Sequence, residues 1–145
     1  MTERPQPTER DEYSYLLSLD TRWGDNDVYG HVNNVVYYAF FDTAVNKHLI
    51  EQGVLDIARS DTVGLVVDTQ CSFFSSIAFP DEVHAGLKVV HLGKSSVRYE
   101  IALFRNDNEQ AAALGRFVHV YVDRATNTPV PIPAPVLQVL KTLMP

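Results

Sequence analysis

Between Asn34 and Gln52 the chain carries its one long stretch in which apolar residues recur at helical spacing. Tyr38, Phe41, Val45 and Leu49 define a stripe that Tyr37, Phe40 and Ala44 widen, while Asp42, Asn46, Lys47 and Glu51 take the opposite side. Asn33 or Asn34 can cap its start, Gly53 suits the left-handed position past its end, and the span is about 28 Å. A single apolar stripe has to be buried against something else. The remainder of the chain offers sheet.

Tyr13, Tyr15, Leu17 and Leu19 alternate with more polar neighbours as a strand does, and Gly24 to Asn26 close it with a polar turn. After Thr62 come four more strand-like segments: Val63–Phe74, Glu82–Leu92, Ser95–Arg105 and Gln110–Asp123, with turns at Gly93-Lys94 and Asn106-Asp107-Asn108. Prolines 129, 131, 133 and 135 then break the sheet, and Val136–Leu143 suits a short terminal helix. One strand, one helix and four strands on short connections predict an α+β domain with a mainly antiparallel sheet. A lone helix covers one face and leaves edge strands open, so the chain is expected to pair with a second copy.

Composition narrows the functional classes. With 145 residues, 46% hydrophobic and 21% charged, the chain suits one globular domain, taken as residues 13–145, preceded by a tail expected to be flexible over residues 1–12. Twelve Lys and Arg against 18 Asp and Glu give a net charge of −6, which argues against nucleic acid or an anionic membrane as partner. A lone Cys71 cannot form an internal disulfide, the charged, proline-bearing start lacks a signal peptide's apolar core, and no apolar run is membrane-spanning in length. A cytoplasmic location is the expectation. His31, His48, His84, His91 and His119 have no metal-site spacing, so no metal is expected, and Cys71 reads as a small hydrophobe.

The chemistry is concentrated in Thr21–Asn34, TRWGDNDVYGHVNN, where two carboxylates, a histidine, two glycines and three asparagines precede the helix. A helix start offers unpaired N–H groups and the positive end of the macrodipole, to which a carbonyl oxygen or an anion can bind. A carboxylate beside such donors can attack a carbonyl or activate water. The same residues also suit a purely local role, with Asp25 and Asp27 bonding turn amides, Gly30 relieving strain and Asn33 capping the helix.

Asp27-Val28-Tyr29-Gly30-His31-Val32-Asn33-Asn34 followed by VVYYAFFDTAV resembles the acyl-CoA thioesterases of the hotdog superfamily, in particular the 4-hydroxybenzoyl-CoA thioesterase-like branch. The resemblance covers about residues 13–125 and implies a hotdog fold, a sheet wrapped around one long central helix. It assigns Asp27 as the catalytic carboxylate and the backbone N–H of Asn34 as the donor to the thioester carbonyl. Gly30 would let the chain approach that carbonyl, His31 and Asn33 would order the loop or hold a water, and Asp25 would be structural. Some hotdog thioesterases place the carboxylate on the central helix, which makes Asp42 the second candidate.

Gly93-Lys94-Ser95 lacks the spacing of a nucleotide-binding P-loop. Under the resemblance this turn meets the phosphates of coenzyme A, through Lys94 with Ser95 and Ser96, while Arg98 and Arg124 are further candidates and Arg98 can alternatively pair across the sheet with an acid. Coenzyme A is then part of the substrate, and no separate cofactor is expected. The implied assembly is a homodimer or a dimer-of-dimers tetramer with the active site between subunits. Two rival readings are a silent acyl-CoA binder and a hotdog dehydratase or acyl-carrier-protein thioesterase.

Overall fold

The computed structural model describes residues 4–145. Its elements are β1 (Leu16–Asp20), α1 (Asn34–Glu51), β2 (Thr62–Phe73), β3 (Glu82–Leu92), β4 (Ser96–Arg105), β5 (Ala113–Asp123) and α2 (Ala134–Thr142). The strands form one sheet in the order β1-β3-β4-β5-β2, every neighbouring pair antiparallel. This is the expected α+β fold, with α1 laid across one face.

The helix ends where its sequence says it should. Asn33 accepts a hydrogen bond from the Val35 N–H at 3.0 Å, and Gly53 turns the chain at φ +75° just past the last turn. Tyr37, Phe40, Phe41, Ala44, Val45 and Leu49 are buried, as the stripe requires. Contact with the sheet is close because Gly115 has no side chain: a Cβ there would lie 2.5 Å from the Phe41 ring. Val136, Leu140 and Leu143 at the C-terminus close one end of the same core.

Two boundaries differ from the periodicity. β1 starts at Leu16 because Tyr13 turns to the opposite face, over Gly86 and against Phe104, Ala102 and Leu114 in a second, smaller cluster. β5 starts at Ala113, since Gln110 bridges Glu9 instead. Within the segment expected to be a tail, residues 8–12 lie against the sheet. Arg10 N–H donates to Glu109 O at 2.7 Å, Ala111 N–H donates to Thr8 O at 2.9 Å, and the Arg10 guanidinium sits 5.0 Å from the Phe104 ring centre. Residues 1–3 of that segment lie outside the described residues.

The sheet has two edges, β1 and β2. Along β2 the whole run Leu65–Gln70 is exposed, including Leu65, Val66 and Val67. Six consecutive exposed residues in a strand of that composition leave apolar surface on both faces and an unpaired backbone edge.

Candidate active site at the start of the central helix

The loop from β1 to α1 is pinned on both sides before it reaches its chemistry. Asp25, 2% exposed, pairs with the Arg22 guanidinium at 2.8 Å, accepts from the Arg22 N–H at 2.8 Å, and its carbonyl accepts from the Asn33 N–H at 2.9 Å. Asn26 Oδ1 accepts from Phe79 N–H at 3.0 Å, and Val32 N–H donates to Ile77 O at 2.7 Å. Asp25 is therefore a structural acid. It joins the loop to the helix start.

Between those anchors residues 27–31 form a tight turn. Asp27 N–H donates to His31 O at 2.8 Å, Gly30 N–H donates to Asp27 O at 3.0 Å, and Gly30 sits at φ +80°, where a side chain would be strained. Asp27 Oδ1 accepts from the Tyr29 N–H at 2.9 Å. Among the described residues no donor meets Asp27 Oδ2. The local role foreseen for Asp27 thus occupies one oxygen and leaves the other.

Asp27, His31, Asn34, Tyr37 and Phe73, with Ser75 and Ser76 at its margin, line a cleft of 370 Å³. Tyr37 and Phe73 form one wall, edge to face with ring centres 4.9 Å apart. Asn34 is the first residue of α1, and among the described residues its N–H has no acceptor. The cleft therefore joins a carboxylate, a histidine and a free helix-start donor. Gly30 shapes the turn, and Asn33 serves the helix as its cap.

The other candidates lie elsewhere. Asp42 is an exposed residue two turns along α1, where Oδ1 accepts from the Asn46 amide at 3.1 Å, and it does not line the cleft. Lys94 is exposed in the β3–β4 turn, whose backbone is held by Gly93 N–H to Ser96 O at 2.8 Å and by Tyr121 N–H to Ser95 O at 2.8 Å. Arg98 is exposed on β4 opposite His91 and Val118, so the cross-strand acid considered for it is absent at those register positions. Arg124 donates to Ser60 O at 3.3 Å and borders a second cavity of 280 Å³ between α1, β2 and β5. None of Lys94, Ser95, Ser96, Arg98 and Arg124 lines the Asp27 cleft.

Burial pushes the Cys71 thiol up to about 12, which leaves it a thiol rather than a nucleophilic thiolate at neutral pH. Among the described residues no group of three or more His, Cys, Asp or Glu is placed to hold a metal ion. The end of the aromatic stripe nearest Asn34, where an acyl pocket is expected from the sequence, does line the cleft through Tyr37, whereas Phe73 reads in the sequence as an ordinary strand residue and His119 only as a histidine without metal-site spacing. The signal of Phe73 is weak because an aromatic residue in a strand looks the same whether it fills a core or walls a cleft.

A protein-family model described as the thioesterase-like superfamily matches residues 21–140, which include the loop, the cleft and all of the sheet after β1. The chain belongs to this superfamily. Its structure superposes on the crystal structure of the PA5185 protein from Pseudomonas aeruginosa strain PAO1 with a TM-score of 0.94, at 50% identity over 96% of this chain and 97% of that one. It shares its fold with Slr0204, a 1,4-dihydroxy-2-naphthoyl-CoA thioesterase from Synechocystis, at a TM-score of 0.80 and 16% identity over 89% of this chain and 96% of that one. A curated relative, the uncharacterized protein YsmA of Bacillus subtilis strain 168, is 21% identical over 85 residues, or 59% of this chain, and the match spans 57% of the relative's length. The fold is the hotdog fold, and family and fold together support thioester hydrolysis. Among the described residues no helix is long and apolar enough to cross a membrane.

Proposed function

We propose that the protein is an acyl-CoA thioesterase that works as a homodimer, with Asp27 as its catalytic carboxylate. The observation that carries this reading is the shared cleft of Asp27 and the unpaired Asn34 N–H. A thioester carbonyl hydrogen-bonded to that N–H gains the positive end of the helix dipole as its oxygen becomes negative. Asp27, held by Tyr29 through one oxygen, presents the other to attack the carbonyl carbon or to take a proton from an attacking water. The C–S bond breaks and the thiolate of coenzyme A leaves; where Asp27 attacks, the acyl group is held on it as an anhydride that water then hydrolyses to the free acid and the Asp27 carboxylate. A thiolate is a good leaving group, so the site works without a strong general acid.

The dimer forms through β2. Its unpaired edge and the exposed Leu65, Val66 and Val67 are the surface that a second copy would cover, extending the sheet across a twofold axis. Lys94, Ser95 and Ser96, with Arg98 and Arg124, are proposed to meet the phosphates of coenzyme A from a surface outside the catalytic cleft.

His31 beside Asp27 also fits a dehydratase, which needs a base and an acid in one cleft. One assay separates the two readings. Free thiol released from an acyl-CoA panel, and lost in Asp27→Asn, supports hydrolysis; enoyl product from 3-hydroxyacyl-CoA without thiol release rejects it in favour of the dehydratase. Binding without any turnover leaves a silent acyl-CoA binder.

A further inference from the structure

The second cavity, 280 Å³ between α1, β2 and β5, has an apolar side that includes Leu49, Val63 and Val136 and a polar side of Asn46 and Arg124, and His119 stands in it. His119 is 2% exposed, and among the described residues neither ring nitrogen has a hydrogen-bond partner, Nε2 being fully enclosed. Residue 64, a glycine, borders the cavity close to that ring: a Cβ there would stand 3.1 Å from His119 Nδ1. A neutral imidazole always carries one donor and one acceptor; Nε2 is the enclosed nitrogen, while Nδ1 stands next to Gly64 at the cavity, and leaving a buried ring nitrogen unpaired is costly. A polar group of a ligand in that cavity meets the ring at Nδ1, the nitrogen on the Gly64 side.

The position of the cavity identifies the ligand. β2 is exposed from Leu65 to Gln70, and pairing two copies about the middle of that run sets Gly64 opposite the partner's Cys71 and Thr62 opposite the partner's Phe73. Thr62, Val63 and Gly64 border the His119 cavity, while Phe73 walls the Asp27 cleft. Both lie on the helix-covered face, since Gly64 faces His119 and Tyr121, and Phe73 touches Tyr37 of α1. Strands about 4.8 Å apart then make the two hollows neighbours across the twofold.

Resting on the hydrolase reading above, we infer that each His119 cavity is the acyl pocket for the Asp27 cleft of the other subunit, and that it selects acyl groups carrying a hydroxyl or keto group beyond the thioester. His119 is then a specificity residue whose imidazole meets that polar group. At 280 Å³ the pocket is near the lower end of small-molecule sites, about 300 to 1,000 Å³, which favours short acyl groups.

The trans arrangement is tested by complementation. Asp27→Asn and Gly64→Leu are each expected to be inactive as homodimers. Co-expressed under two tags and purified as mixed dimers, they are expected to regain activity, because one of the two sites combines an intact Asp27 with an intact pocket. Ile57→Trp provides a second blocking variant at a cavity-lining residue that is 66% exposed and tolerant of bulk. No recovery with folded, dimeric blocking variants overturns the trans pocket. The chemical class is tested with hexanoyl-CoA, 6-hydroxyhexanoyl-CoA and 5-oxohexanoyl-CoA. Wild type is expected to prefer at least one oxygenated substrate by roughly tenfold or more in kcat/KM, and His119→Phe to bring that ratio near one. A ratio near one in wild type, or one that survives His119→Phe, overturns the assignment. If wild type releases no thiol from any of them, the hydrolase reading fails, and calorimetric binding of the same three probes decides the pocket: an oxygenated preference lost in His119→Phe and binding weakened by Gly64→Leu sustain it, their absence rejects it.

Discussion

Asp27 lies in the loop before α1 and Asp42 two turns along that helix, and their surroundings separate them. Asp27 faces a cleft with a free N–H, whereas Asp42 bonds Asn46 on an exposed helix side. Asp27→Asn keeps size and removes charge and basicity, so kcat is expected to fall by about 10²- to 10⁴-fold or more, with Asp42→Asn much milder. Steady-state kinetics on the best acyl-CoA, with circular dichroism for folding, check this; an inactive Asp42→Asn beside an active Asp27→Asn would move the carboxylate to the helix. His119 carries a second expectation at this scale. Burial pushes it down to about 4, Asp42 opposing weakly, while Tyr99 and Phe117 pack against its ring. Below its ordinary 6.5 the unfolded chain takes up a proton that the folded chain refuses until about pH 4, so stability is retained above pH 6.5 and lost as pH falls through that window. The loss is on the order of 3 kcal/mol, and His48, also lowered by burial, adds in the same direction. Denaturant midpoints at pH 7.5 and pH 5 at fixed protein concentration should differ less in His119→Phe than in wild type. An unchanged difference would show that His119 does not titrate in this way.

At the scale of elements, α1 and the sheet are held at close range by a missing side chain. A Cβ at Gly115 would meet three atoms of the Phe41 ring at 2.5, 2.6 and 2.7 Å, and Phe41 is completely buried. Gly115→Ala is therefore expected to destabilise by about 1 to 3 kcal/mol through overpacking, read as a lower midpoint in chemical denaturation. Because β5 also carries His119, a displaced α1 should disturb the second cavity as well. A wild-type midpoint would mean that the helix can retreat without cost.

For the whole molecule, the central question is how the open β2 edge is covered. Val67, 59% exposed in the middle of that edge, is the position where a charge should do most harm to a twofold interface, since it meets or nearly meets its own copy. Val67→Asp is expected to sediment as a monomer at micromolar concentration and to lose activity, while wild type sediments as a dimer or larger. A wild-type monomer with full activity would defeat the shared site. Charge acts at this scale too, because under the proposed acyl-CoA reading a chain of net charge −6 would have to bind an anionic substrate through local cations. Lys94→Ala should raise KM for acyl-CoA with little change in kcat, and added salt should mimic it in wild type. An unchanged KM at low salt would direct attention to Arg98 and Arg124.

What the residues themselves determined was local and periodic. The 3.6-residue stripe from Tyr37 to Leu49, Asn33 and Gly53 at its ends, and the period-two runs after Thr62 located α1 and four strands to within a few residues. The motif Asp27–Asn34 located the loop, because a cap, a turn glycine and a carboxylate act over a few bonds. Strand order was not legible, since β2 pairs with β5 across some fifty residues and nothing in either run names its partner. For the same reason Tyr13 read as an ordinary strand residue, and only packing against Gly86 and Phe104 turned it to the other face. His119 stayed silent in the sequence. Its meaning depends on Gly64, which is far away in the chain and lies against its ring across the sheet, and contacts of that kind are decided only when the sheet has formed.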